Sequence, residues 1–98
     1  MQEQKVSIPI GKEIKILRSL LEMTQEDFAK LILLNRVTLS KLEKAEKDED
    51  ISDEMVFRLY YLTKTIIENP SYAPYVRGRA TKIYEIISDI LKRRSTEL

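Results

Sequence analysis

The residues best suited to chemistry lie between positions 36 and 44, where hydroxyl and cationic side chains are interspersed with apolar ones. The polar members are Arg36, Thr38, Ser40, Lys41 and Lys44. Such groups hydrogen-bond the edges of nucleotide bases and neutralise phosphates. The apolar members, continued one residue further, are Val37, Leu39, Leu42 and Ala45, at the spacing of one side of a helix. The pattern predicts a helix with an inward apolar side and an outward side suited to nucleic acid.

A second short helix precedes this one and positions it. Thr24 is a good N-cap residue, and apolar residues at helical spacing follow from Phe28 to Ile32. Gln25 begins this helix, where backbone N–H groups and a side-chain amide can hold a phosphate. Asn35 is the N-cap candidate of the helix that follows. Two short helices joined by a tight turn form a helix-turn-helix.

The rest of the chain is also predicted to be helical, because its β-branched residues recur at helical and not alternating spacing. A first helix is predicted over Gly11 to Glu22, a fourth from Ser52 to Asn69, and a fifth from about Tyr75 to Arg94. The predicted organisation is an N-terminal arm (1–9), a helix-turn-helix domain (10–69) and a C-terminal helix segment (70–98). The fold class is therefore predicted to be all-α.

Residues 10–62 resemble the lambda-repressor-like, or Cro-type, helix-turn-helix domains of the XRE family. Met23-Thr24-Gln25-Glu26-Asp27-Phe28-Ala29 is similar to the family signature (L/M)-(S/T)-Q-x-x-(L/F)-A, and Arg36-Val37-Thr38-Leu39-Ser40-Lys41-Leu42-Glu43 to R-x-T-I-S-x-(I/L)-E. The resemblance implies a five-helix domain, here with an extended C-terminal helix, that binds a double-stranded DNA operator. The implied DNA-binding residues are Gln25, Asn35, Arg36, Val37, Thr38, Ser40, Lys41 and Lys44, so Val37 is expected both among these and on the inward side. It also implies a partly buried ion pair between Arg18 and Glu43.

Two positions depart from the family pattern. Leu33 stands in the turn where the family usually has glycine in a left-handed conformation, so the turn costs about 1 kcal/mol or adopts another geometry. Ala45 replaces the usual glycine after the recognition helix and predicts a helix one turn longer. The acidic run over residues 48–54 is predicted to be a solvated loop and helix start.

The composition excludes several functions. The chain has no cysteine and no histidine, which removes disulfides, most transition-metal sites and the commonest general base. No enzyme activity, metal or cofactor is expected. No apolar run is long enough to span a membrane, and residues 1–12 lack the pattern of a signal peptide, so a cytoplasmic location is expected.

The fifth helix carries an apolar seam that predicts a homodimer. Its members are Val76, Ala80, Ile83, Ile87 and Ile90, at alternating four- and three-residue steps. The basic residues Arg77, Arg79, Lys82, Lys92, Arg93 and Arg94 are expected to rim this interface or touch flanking phosphate. The favoured function is a DNA-binding transcriptional regulator, acting as a repressor. Two alternatives stay open: the antitoxin of a toxin–antitoxin pair, and an interaction module that pairs with another regulator without binding DNA.

Overall fold

A computed structural model describes residues 8–96, and within that range the chain forms five α-helices and no strand. The helices are α1 (Ile10–Leu20), α2 (Gln25–Leu31), α3 (Arg36–Leu42), α4 (Asp53–Glu68) and α5 (Pro74–Thr96), with a 3₁₀ turn at Asp48–Asp50. The predicted all-α class is confirmed. Of the predicted N-terminal arm, residues 1–7 lie outside the described range. None of the five helices is both long and apolar enough to cross a membrane.

Side-chain caps begin three of the helices, at the residues that the sequence indicated. Thr24, Asn35 and Ser52 each accept a hydrogen bond from the backbone N–H three positions along, at 3.1, 2.8 and 3.3 Å respectively. Each bond satisfies a donor that the helix itself leaves without a partner. The starts of α2, α3 and α4 are therefore determined by local chemistry.

Left-handed residues end α1 and α2. Glu22 and Leu33 have φ of 60° and 59°. Beyond them, the Met23 N–H donates to the Arg18 carbonyl (3.2 Å) and the Leu34 N–H to the Ala29 carbonyl (2.8 Å), the bonding of a Schellman motif. This motif ends α1 at Leu20, two residues before the predicted Glu22. Leu33 thus keeps the conformation expected of a glycine at this position, at a cost of about 1 kcal/mol.

Helix α3 is shorter than predicted, since it ends at Leu42 and does not extend through Ala45. After Glu43 the backbone tightens to bonds between residues three apart, and the Ala45 carbonyl accepts the Gly11 N–H at 3.0 Å. A side chain at Gly11 would place its Cβ 2.6 Å from the Glu43 carbonyl oxygen. Close backbone contact with α1 therefore takes the place of another helical turn.

One buried cluster joins all the helices, and α5 packs mainly along α4 and then α1. The five residues of the predicted dimer seam (Val76, Ala80, Ile83, Ile87 and Ile90) belong to this cluster and are at most 4% exposed. They close the chain's own core, so the seam predicted for a second subunit is wrong. The physical reason is that α4 and α1 present buried side chains such as Leu59 and Ile14, which α5 covers. Over its described part, the predicted C-terminal segment 70–98 packs on the core that it shares with residues 10–69.

Candidate nucleic-acid interface

The outward side of α3 forms a groove of about 320 Å³, which we call the reading face; it is lined by Arg36, Val37, Ser40, Lys41 and Lys44. Leu39 and Leu42 take the inward side and are buried. Val37 is 66% exposed, so its predicted inward position is wrong. At 3.6 residues per turn it lies roughly 200° around the helix from Leu39, which places the two on opposite sides.

Arg36 differs from every other arginine in residues 8–96, because its side chain alone has no hydrogen bond or ion pair with another described residue. The other arginines each donate to a carboxylate or a backbone carbonyl: Arg18, Arg58, Arg77, Arg79, Arg93 and Arg94. A guanidinium carries five N–H donors in a planar fork that suits carboxylates, phosphates and base edges. Arg36 is exposed at the first position of α3 and holds this fork available to an external partner.

A partly buried cluster lies behind the reading face. Arg18 donates two hydrogen bonds to the Glu43 carboxylate, at 2.6 and 3.1 Å, and Gln25 Nε2 donates a third at 2.9 Å. The side chains of Arg18 and Glu43 are 15% and 4% exposed. The ion pair implied by the family resemblance is therefore formed. Glu43 turns its charge inward to Arg18, which leaves Arg36, Lys41 and Lys44 as the charges of the reading face.

Three residues of the predicted DNA-binding set lie outside the groove and have structural contacts. Asn35 caps α3 through its Oδ1, and Thr38, which is half-buried, supplies the N–H for that cap. Gln25 donates one of its two amide hydrogens to the Glu43 carboxylate. This bond was not foreseen from the sequence, because the two residues are 18 positions apart and only the packing of α2 on α3 brings them together. One amide hydrogen and the amide oxygen of Gln25 have no partner among the described residues.

The basic residues of α5 mostly bind other parts of the chain, which corrects their predicted place at a subunit interface or on phosphate. Arg79 donates to the buried Glu13 at 2.6 Å, and Arg77 to a carbonyl at the end of α4. Of the other four, Arg93 and Arg94 are also bonded within the chain, while Lys82 and Lys92 are exposed and have no bond to another described residue.

The last turn of α5 binds the acidic run at residues 48–54. Arg93 pairs with Asp48, and this carboxylate raises the pKa of the arginine further. Arg94 pairs with Asp53 at 2.7 Å and donates to two backbone carbonyls of the run. In the same run, two backbone N–H groups at 3.1 Å lower the pKa of Asp50. The run therefore ties α5 to the loop after α3 and is not merely a solvated loop.

No protein-family model, curated protein or solved structure matches this chain. The function is therefore inferred from the residues of the chain and their arrangement.

Proposed function

We propose that this protein is a sequence-specific DNA-binding transcriptional regulator that places α3 in the major groove. The observation that carries this proposal is the position of Arg36. In a chain whose other described arginines are bonded internally, the one that is not stands at the start of a short, exposed helix with two lysines on the same face.

The residues of the reading face suit two kinds of DNA contact, with bases and with phosphates. Arg36 has the donor geometry to bind the O6 and N7 atoms of a guanine, and Ser40 has a hydroxyl that donates or accepts at a base edge. Lys41 and Lys44 lie further along the helix and neutralise phosphates. A helix of seven residues is only about 10 Å long, so one α3 reads a few base pairs. Binding at a promoter would repress by occlusion.

The partly buried cluster supports this role by fixing the position of α3. Glu43 ends α3 and is held by Arg18 of α1, while Asn35 caps its first turn. Contacts at both ends limit the movement of the reading face, which reduces the ordering that DNA binding would require. The homodimer stays a prediction without an assigned interface, because the α5 seam that motivated it lies in the core.

Selection of bound sequences from random duplex DNA with the purified protein tests the proposal. We expect a consensus to be enriched, and Arg36→Ala to bind it roughly 5- to 150-fold more weakly, with lost discrimination at a guanine. Lys41→Ala should weaken binding to all sequences and reduce the slope of the salt dependence by about one. Lys64→Ala, which removes an exposed cation on α4, is the matched control and should bind like the wild type.

A different outcome would favour the alternative of an interaction module. Leu31, Leu33 and Tyr61 are exposed and line a groove of about 350 Å³ between the α2–α3 turn and α4. If no sequence is enriched and Arg36→Ala leaves the affinity for DNA unchanged, the DNA-binding proposal is wrong. The chain would then act as an interaction module that pairs with another regulator.

A further inference from the structure

We propose that an apolar surface formed by α4 and the α2–α3 turn binds a second copy of this chain, with the two α4 helices antiparallel. This surface, the apolar patch, consists of Leu31, Leu33, Phe57 and Tyr61, which are 46%, 74%, 53% and 68% exposed. Four of the seven large hydrophobic side chains that are exposed in residues 8–96 lie here, so this exposure is concentrated and not scattered. The contact needs no DNA, and only its consequence for the operator rests on the proposed function.

The area of the apolar patch suits a dimer. At about 200 Å² for one large side chain, the four residues expose roughly 500 Å². A stable interface buries about 800 Å² on each partner, of which roughly 56–65% is apolar. The apolar patch therefore matches the apolar share of one such interface, and the charged side chains beside it on α4 suit the polar rim.

The outward side of α4 is symmetric in sequence about a buried residue. Leu59 is fully buried, and Phe57 and Tyr61 lie two residues before and after it, about 200° around the helix in either direction. Glu54 and Lys64 lie five residues before and after it, which is also on the outward side. When two such helices cross antiparallel at the level of Leu59, each residue meets the one equally far on the other side of it. Phe57 then packs on Tyr61 of the second copy.

The same arrangement places Glu54 opposite Lys64 of the second copy, twice in each dimer. Glu54 accepts from Arg58 of its own chain at 2.6 Å and its side chain is still 66% exposed, while Lys64 is exposed and has no ion pair with a described residue. Glu68, on the same side, falls beyond the start of the second copy's α4. Parallel helices would instead bring like charges together, so the charges favour the antiparallel dimer. A partner of another sequence would have to supply both charges, which this chain already carries at the matching positions.

Dimerisation leaves the reading face available, because the apolar patch and the reading face share no residue. A two-fold dimer carries two reading faces in inverted orientation. The operator of such a dimer would consist of two half-sites that form a palindrome.

Sedimentation equilibrium of the full-length protein without DNA, from micromolar to hundreds of micromolar concentration, tests the contact. We expect a reversible equilibrium between monomer and dimer. Tyr61→Ala should raise the dissociation constant of the dimer at least about 30-fold, since it removes a central aromatic side chain from both copies. Tyr75→Ala is the matched control, because Tyr75 is 66% exposed on α5 outside the apolar patch, and it should leave this constant unchanged. Thermal unfolding of both variants should match the wild type.

Charge reversal tests the antiparallel orientation. The contact between Glu54 and Lys64 lies at the solvent-exposed rim and adds little affinity, so Lys64→Ala should self-associate like the wild type. Lys64→Glu brings a like charge to Glu54 and should raise the dissociation constant more than about tenfold. The double variant Glu54→Lys with Lys64→Glu should return it toward the wild-type value.

Three results would overturn the proposal: a wild type that stays monomeric at every concentration, a dimer that Tyr61→Ala leaves unchanged, or a double variant that associates no better than Lys64→Glu. DNA binding is tested separately, since Arg36→Ala should dimerise like the wild type and bind DNA more weakly. If a monomeric protein still enriches a sequence, the interface is wrong and DNA binding stands. If the protein dimerises through the apolar patch and enriches no sequence, the interface stands and DNA binding is wrong.

Discussion

Removal of either member of the Arg18–Glu43 pair should cost much more stability than removal of an exposed pair of the same type. Glu43 accepts three hydrogen bonds from two side chains, and the partner left behind has little access to water. Breaking a buried pair by removing one partner costs about 3–5 kcal/mol, because the remaining charge is left without compensation.

The exposure of the side chain that remains predicts which of the two variants loses more stability. In Glu43→Ala the remaining Arg18 is 15% exposed and regains some hydration, so we expect a loss of about 3 kcal/mol. In Arg18→Met the remaining Glu43 is 4% exposed, and the loss should be larger. A loss of about 3 kcal/mol corresponds to a fall in Tm of roughly 12–24 °C for a domain of this size.

Urea unfolding followed by far-UV circular dichroism measures these differences. The matched control is Glu54→Ala, which breaks the exposed pair with Arg58 on one face of α4 and should cost about 0.3–0.5 kcal/mol. The double variant Arg18→Met with Glu43→Leu should recover part of the loss of Arg18→Met, since no lone charge is left buried. Losses below about 1 kcal/mol in both single variants would refute the reasoning and place the pair with ordinary surface ion pairs.

Three other predictions concern the backbone and pH. Gly11→Ala should lower the free energy of unfolding by about 1–3 kcal/mol despite the helix propensity of alanine, because its Cβ would lie 2.6 Å from a backbone oxygen; an unchanged thermal midpoint would contradict this contact. Leu33→Gly should raise the free energy of unfolding by up to about 1 kcal/mol by relieving the left-handed conformation. Glu22→Gly, at nearly the same φ, should raise it in the same way. A loss of stability in both would show that neither residue is strained. Hydrogen bonds from the backbone N–H groups of Lys47 and Glu46 lower the pKa of Asp50 in the folded state, so its contribution to stability is present above the pKa of an unfolded aspartate and is lost as the pH falls through the lowered value. The acid limb of the stability curve should therefore be shallower in Asp50→Asn, and superimposable curves would exclude a role for this carboxylate.

Features that depend on a few neighbouring residues were determined by the sequence itself. Thr24, Asn35 and Ser52 begin their helices because each supplies an acceptor to a backbone N–H only three positions away. The sequence left open whether Leu33 would adopt the left-handed conformation of the family's glycine, and the structure shows that it does. The Arg18–Glu43 pair spans 25 positions and was expected only from the family resemblance.

Only the tertiary structure decided what each apolar helix face and each charged side chain contacts. The apolar stripe of α5 has the spacing of an interface, and the same spacing serves equally well to cover α4 and α1, as Ile83 and Ile87 do. Helical periodicity defines a face of a helix but not what that face contacts. The same holds for charge. Arg94 and Arg36 are identical side chains in the sequence, yet the fold brings Arg94 onto Asp53 and leaves Arg36 without a partner in the described chain. An arginine becomes available for binding only when packing brings no acceptor to it, and that depends on residues far apart in the sequence.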